Sequence, residues 1–262
     1  MRYKMFDTHM HCEFSGDSKM KILKARQAAE KLDIGIVITE HMDIEYPTNP
    51  LSFVFDVNEY FEAFDRYRSD KLLLGVEIGM QARLNDTNSK IVHSGSFDMV
   101  IGSIHVANGV DVYISNFYRG RERVVAYGLY FADMLQCVSS YEDYDTLGHI
   151  DYICRYARYE DPELDIVEHG EVWQQICKEL IARDKALEIN TRRLDSKLAV
   201  RKLQPFYEMY AQLGGKYVTI GSDAHSDDLV GCRVAQGFEW AESMGLQPVY
   251  FKQRKLQMDF RL

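Results

Sequence analysis

Residues 34–43 read IGIVITEHMD, a short apolar run that ends on a charged tip. A run of this length, rich in β-branched residues, suits a strand buried on both faces of a parallel sheet. The pattern recurs in MFDTHMH (5–11), LLLGVEIG (72–79), FDMVIGSIHV (97–106), TLGHID (146–151), ALEINT (186–191) and YVTIGSDAH (217–225). Helical patterns lie between them. SKMKILKARQAAEKLD (18–33) carries Met20, Leu23, Ala28 and Leu32 near helical spacing, with Ser18 placed as its N-cap. Residues 57–70, about 121–140, 163–184, 198–214 and 230–245 behave likewise, and Gly214-Gly215 and Gly245 stand where helices should stop.

The strand tips are His9, His41, Glu77, His105, His149, Glu188 and Asp223, spaced roughly 28 to 44 residues apart, the length of a βα unit. Seven such units running one way predict an α/β fold of barrel type, with a site at the C-terminal ends of the strands. An open doubly wound sheet is the competing arrangement. It would concentrate function at one or two strand ends rather than at nearly all of them.

Composition sets outer bounds. At 262 residues the chain suits one large domain, 1–262, over two smaller ones, and no Pro/Gly-rich linker marks a boundary. A net charge of −9 argues against nucleic acid as the main partner, because such binding rests on clustered Lys and Arg. The cysteines are odd in number (Cys12, Cys137, Cys154, Cys177, Cys232) and form no CxxC pair. They predict neither a disulfide framework nor a thiolate zinc site, and they suit a reducing cytoplasm. No basic-then-apolar leader precedes Met5, and no run reaches the ~18 apolar residues of a membrane span. The expected location is cytoplasmic, without membrane attachment. Oligomeric state is not legible.

The histidines carry the functional signal. There are eight, and six of them (His9, His11, His41, His105, His149, His225) fall at or just past the end of an apolar run. In DTHMHCEFSGDS (7–18), His9 and His11 share one strand face. Asp17, Glu77 and Asp223 occupy comparable tips. Any one of these histidines, taken alone, reads as a hydrogen-bonded, half-buried side chain. Six at matching strand ends read as a metal cluster. Imidazoles and carboxylates without thiolates are what Zn²⁺, Mn²⁺ or Fe²⁺ accept.

HMH with Asp17, ITEH, GVEIG, GSIH, GHIDY, EINT and GSDAH, in that order, resemble the polymerase-and-histidinol-phosphatase (PHP) domain, most closely its histidinol-phosphatase branch. The resemblance spans nearly the whole chain. It implies a distorted (β/α)7 barrel and two to three divalent transition metals. By position, His9, His11, Glu77 and Asp223 would hold one ion. Glu77, His105 and His149 would hold a second, and Asp17, His41 and His225 a third. Many relatives place a histidine where this chain has Asp17. His93 and His169 match nothing and are expected as a loop histidine and a helix-surface histidine.

Such a site activates water near neutral pH and neutralises a phosphoryl group during in-line displacement. Glu77 and Asp223 would take the catalytic part, through a metal-bound hydroxide. No nucleophile elbow or cysteine motif offers another nucleophile. Arg155 and Arg192 are the expected phosphate ligands, since arginine offers paired donors to phosphate oxygens; Arg158 and Arg193 are the alternatives. Asp7, Asp151 and Glu40 are candidates for orienting ligand imidazoles, beside ordinary strand-end hydrogen bonding. Glu188 and Asn190 share a strand face near the cluster. The expected activity is metal-dependent phosphomonoester hydrolysis, with L-histidinol phosphate as the small phosphorylated substrate. Another PHP phosphoesterase substrate (a nucleotide, a cyclic nucleotide or phosphotyrosine) and a catalytically silent metal-binding module are the alternatives.

Overall fold

A computed structural model describes residues 5–258. Its first half runs β1 (Phe6–Asp7), α1 (Ile22–Leu32), β2 (Gly35–Met42), α2 (Val57–Phe64), β3 (Leu72–Gly79), α3 (Asn85–His93) and β4 (Val100–Ser103). A small hairpin follows, β5 (Val106–Ala107) with β6 (Val110–Asp111), and then α4 (Arg123–Ser140), β7 (Thr146–Leu147) and α5 (Tyr152–Tyr156). The second half continues with α6 (Ile166–Ala182), β8 (Ala186–Asn190), α7 (Lys197–Gln212), β9 (Tyr217–Gly221) and α8 (Val234–Ser243). It ends in β10 (Gln247–Lys252) and β11 (Lys255–Met258).

Each of the seven apolar runs supplies one strand. These strands form a mostly parallel α/β sheet in the order β1-β2-β3-β4-β7-β8-β9, extended by β10 and the antiparallel β11. Past β1, the chain runs between β2 and the end of β9, with Thr39 N–H still donating to the Met10 carbonyl at 2.8 Å. Thr8 N–H donates to the Ile220 carbonyl, Asp223 N–H to that of His9 and His11 N–H to that of Ala224, at 2.8–2.9 Å.

Alternation along the strands explains how one sheet carries both a core and a polar site. In register, Val37 faces Leu73 and, four residues on, His41 faces Glu77. Val37 and Leu73 belong to a small apolar cluster with Phe6, Met99, Ile101, Ala186, Val249 and Phe251. The same strand face is therefore apolar at its N-terminal end and ionisable at its C-terminal end. The opposite face (Ile36, Ile38, Leu74, Val76, Ile189, Ile220) joins the larger core under the helices. There Trp173 of α6 packs against Phe131 of α4 and Phe206 of α7, and its indole N–H donates to the Phe206 carbonyl at 2.8 Å.

Three expectations need correction. Ser18 does not cap α1, whose cap position is Lys21. Its hydroxyl instead ties the carbonyls of His11 and His225 together. His93 ends α3 rather than sitting in a loop, its ring turned back to the Ser89 carbonyl. His169 is not on a helix surface but buried between α4 and α6, against Phe131 and Tyr127. It lies one turn ahead of Trp173 on the same stripe.

Candidate metal centre

Glu77 stands at the middle of the cluster, fully buried. Its Oε2 lies 2.8 Å from His41 Nδ1, 3.4 Å from His9 Nε2 and 3.5 Å from His11 Nε2. Its Oε1 faces His149 Nε2 at 2.9 Å and His105 Nε2 at 3.4 Å. Asp223 Oδ1 closes the other side, 3.5 Å from His11 Nε2 and 3.9 Å from His9 Nε2. At the mouth, Asp17 Oδ2 lies 3.2 Å from His225 Nε2 and 3.6 Å from His41 Nε2. All nine residues expected to bind metal thus come together. The donor atoms of eight of them form overlapping triads: His9–His11–Glu77, His9–His149–Asp223, His41–Glu77–His105 and His11–His41–His225.

Backbone geometry is shaped around this cluster. Asp223 adopts φ 56°, a left-handed conformation that costs a non-glycine residue of order 1 kcal/mol or more and gathers at functional sites. Gly221 is required for contact: a Cβ there would fall 2.3 Å from His9 Cβ and 2.6 Å from Glu188 Oε1.

Hydrogen bonds behind the imidazoles decide which nitrogen faces inward. His9 donates Nδ1–H to Glu188 at 2.6 Å, and His105 donates Nδ1–H to Asp43 at 2.7 Å. In the neutral ring, Nε2 of each is then a lone pair. Those lone pairs point at other acceptors: His9 Nε2 lies 3.1 Å from His11 Nε2, and His105 Nε2 faces Glu77. His149 Nδ1 is buried without a hydrogen-bond partner, and Glu77 Oε2 and His41 Nδ1, though 2.8 Å apart, form no aligned hydrogen bond. Lone pairs converging in a buried volume call for positive charge between them. Protons meet this demand in the ion-free chain. Despite burial, Glu188, Glu77 and Asp223 raise His9 well above its ordinary value, and Asp43 with Glu77 raises His105 to about 10. Burial opposes charge on Glu77 too, yet His9, His105 and His41 hold it well below the carboxylate range. Divalent cations fit the same demand, and the nitrogen and oxygen donors match Zn²⁺, Mn²⁺ or Fe²⁺.

A cavity of about 240 Å³ opens onto the cluster, lined by Asp17, His41, His105, His149, Tyr152, Arg155, Tyr156, Arg192, Asp223 and His225. Arg155 is buried and donates Nη1–H to Asp223, while its Nε and Nη2 have no partner. Arg192 Nη1 lies 3.7 Å from Asp223. Arg193 is committed elsewhere, to Asp151 and Glu163, and Arg158 is not among the lining residues.

Two of the expected imidazole supports, Asp7 and Asp151, are placed differently. Asp7 accepts from Ser222 N–H, Ser222 Oγ–H and Gly231 N–H, fixing the turn after β9 instead of a ligand ring. Asp151 takes the Arg193 guanidinium, not His149. Glu188 braces His9 and also accepts the His149 N–H at 2.6 Å. Asn190 Nδ2 reaches Glu188 and Asp223 only at 3.4 and 3.5 Å. Asp43 escaped the sequence reading, although its position two residues after His41 on one strand pattern was the available signal. Tyr152, its ring tilted against those of His105 and His149, and Tyr156 carried no comparable mark.

The fold and the site together define a multi-metal α/β protein with its centre at parallel strand ends. The chain belongs to the PHP domain family, whose model matches residues 7–192. It is 44% identical to a probable histidinol-phosphatase of Clostridium acetobutylicum, over 97% of this chain and 99% of that protein. It is 32% identical to the histidinol-phosphatase of Lactococcus lactis subsp. lactis, over 85% of this chain and 84% of that one. Among solved structures, histidinol phosphate phosphatase from the same bacterium, complexed with Zn, L-histidinol and phosphate, superposes with a TM-score of 0.91. The identity is 29%, covering 97% of this chain and 99% of that one.

Proposed function

We propose that the chain is a metal-dependent phosphomonoesterase that hydrolyses L-histidinol phosphate to histidinol and phosphate in histidine biosynthesis. The observation that carries the reading is the convergence of buried nitrogen and oxygen donor atoms on Glu77, beside an arginine whose Nε and Nη2 are unpaired. The full-length likeness to histidinol-phosphatases supplies the substrate.

In this reading His9, His11, Glu77 and Asp223 hold one divalent ion, Glu77, His105 and His149 a second, and Asp17, His41 and His225 a third. When bound, such ions acidify water and neutralise phosphoryl charge. Glu77 would contribute to both of the first two ions, its two carboxylate oxygens facing different imidazoles. Asp223 joins the ions to the phosphate pocket, since its Oδ1 faces His11 and its Oδ2 accepts from Arg155. Arg155 and Arg192 bind the phosphate; the unpaired Nε and Nη2 of Arg155 provide two donors for its oxygens.

The sheet wraps into a distorted (β/α)7 barrel, a closure supported by the hydrogen bonds between residues 8–11 and 220–224. Residues 1–262 act as one domain in the cytoplasm. The partner is a small phosphorylated metabolite. A net charge of −9 disfavours nucleic acid, and among the described residues no helix is long and apolar enough to cross a membrane. The test is phosphate release by purified, metal-loaded protein against histidinol phosphate, nucleotides, cyclic nucleotides and phosphotyrosine. The highest kcat/KM is expected for histidinol phosphate. A clear preference for another member of the panel transfers the enzyme to that substrate, and no release from any overturns the phosphatase reading.

A further inference from the structure

The imidazoles of the centre are not all braced in the same way. His9 and His105 give their outer N–H directly to carboxylates. His11 does not. Its Nδ1 lies 3.0 Å from Ser15 Oγ, and that oxygen lies 2.5 Å from Glu40 Oε2. The same Ser15 oxygen receives the His41 N–H at 3.0 Å. Glu40 Oε2 further accepts the N–H groups of Cys12 at 3.0 Å and Ser15 at 2.9 Å. Glu40, Ser15 and His11 are all buried.

A count of protons settles the direction of these bonds. A hydroxyl has one hydrogen and can accept two more. With Glu40 ionised, its oxygens accept from the N–H groups of Cys12 and Ser15, and the Ser15 hydrogen lies on the short contact to Glu40. Ser15 Oγ is left with lone pairs alone. One takes the His41 N–H; the other requires a hydrogen on His11 Nδ1. A neutral imidazole with its proton on Nδ1 presents a lone pair at Nε2, the atom that faces His9, Glu77 and Asp223.

We infer that Ser15, backed by Glu40, fixes His11 in the Nδ1–H tautomer and so aims its Nε2 lone pair into the ion site. Ser15 is a positioning residue, and Glu40 acts through it. Glu40 and His41 are consecutive on β2 and point to opposite faces. The turn from Cys12 to Ser15, closed by the Ser15 N–H to Cys12 carbonyl bond, carries the hydroxyl between them. Ser15 thereby joins the ring of His11 to the backbone that sets His41. This inference rests on the metal-dependent reading of the site.

The test is Mn²⁺ affinity, measured by chelator competition, in the wild type, Ser15→Ala and Ser15→Thr. Ser15→Ala should bind about 10- to 100-fold more weakly, the usual cost of losing a ligand's outer support. Ser15→Thr keeps the hydroxyl and should stay within a few-fold of wild type. Excess Mn²⁺ should restore kcat of Ser15→Ala with KM for histidinol phosphate unchanged. Imidazole ¹⁵N spectra of chelator-treated wild type give a reading independent of any variant's folding, with the His11 proton expected on Nδ1. A proton on Nε2, or wild-type affinity in Ser15→Ala, overturns the relay while leaving the phosphatase reading intact. A wild type that binds no Mn²⁺ and releases no phosphate overturns both.

Discussion

Glu77 shows what one residue contributes when five imidazoles converge on it. Its two oxygens face different subsets of the rings, so its charge is shared in a way no amide can reproduce. Glu77→Gln keeps the shape and leaves the apolar run LLLGV intact. Turnover should fall by about two orders of magnitude or more with the fold preserved, as read by kcat and circular dichroism on the same sample. Near-normal kcat would remove Glu77 from the centre. The arginines make a second prediction at this scale. Replacing Arg155 or Arg192 by Ala removes a charge-assisted contact worth roughly 1.5–3 kcal/mol, hence about ten- to over a hundredfold in kcat/KM. The loss should be equal for histidinol phosphate and a plain aryl phosphate, because the phosphate is common to both, and metal content should not change. Lys should rescue only partly, since an ammonium lacks the paired donors. Wild-type kcat/KM in both variants would mean that the metal centre alone holds the phosphate.

At the scale of elements, each strand ends where its side chains are needed, and the turn beyond it is shaped to fit. Gly221 closes β9 against His9, where a Cβ has no room. Gly221→Ala should therefore cost at least the 1–3 kcal/mol typical of overpacking and displace the His9 ring. Thermal melting with metal analysis would show both losses together; a stable, metal-replete variant would contradict the packing argument. Helix α6 offers a pH-dependent counterpart. Burial, reinforced by the Arg123 charge, lowers the His169 pKa below its ordinary 6.5. The unfolded chain then takes up the proton more readily than the folded one, so this histidine favours folding above pH 6.5 and withdraws that support as pH falls below it. The stability difference between wild type and His169→Gln should shrink as pH drops from 7.5 to 5.5. Denaturant melts across that range measure it, and a difference that grows would reverse the sign. His169 belongs to the core because it heads the apolar stripe of α6. His169, Trp173, Ile176, Cys177 and Leu180 form one buried line.

For the molecule as a whole, the strand ends were the legible part. Apolar runs with ionisable tips announce themselves in sequence: all seven became strands, and eight of the nine clustered side chains lie at or just past the ends of six of them, with Asp17 in the turn after the first. The terminal hairpin β10–β11 was not foreseen. Its sequence QPVYFK…KLQM mixes polar and apolar residues without a polar tip, and its place is set by contacts remote in sequence. Arg254 pairs with Asp145, and Gln253 N–H donates to Asp98. Ser15 lacks a mark for a related reason: it sits in a turn, and nothing identifies it as a brace until the fold brings it behind the His11 ring. Asp43 is legible only through its spacing from His41 on β2.

Anomalous X-ray scattering from crystals of protein purified without chelators will show whether the converging donor atoms around Glu77 hold several divalent ions. Two to three peaks are expected, each within bonding distance of the nitrogens and oxygens named above, with Glu77 contacting more than one. An ordered site with no anomalous peak, in protein that Mn²⁺ and Zn²⁺ fail to activate, would contradict the metal-dependent reading.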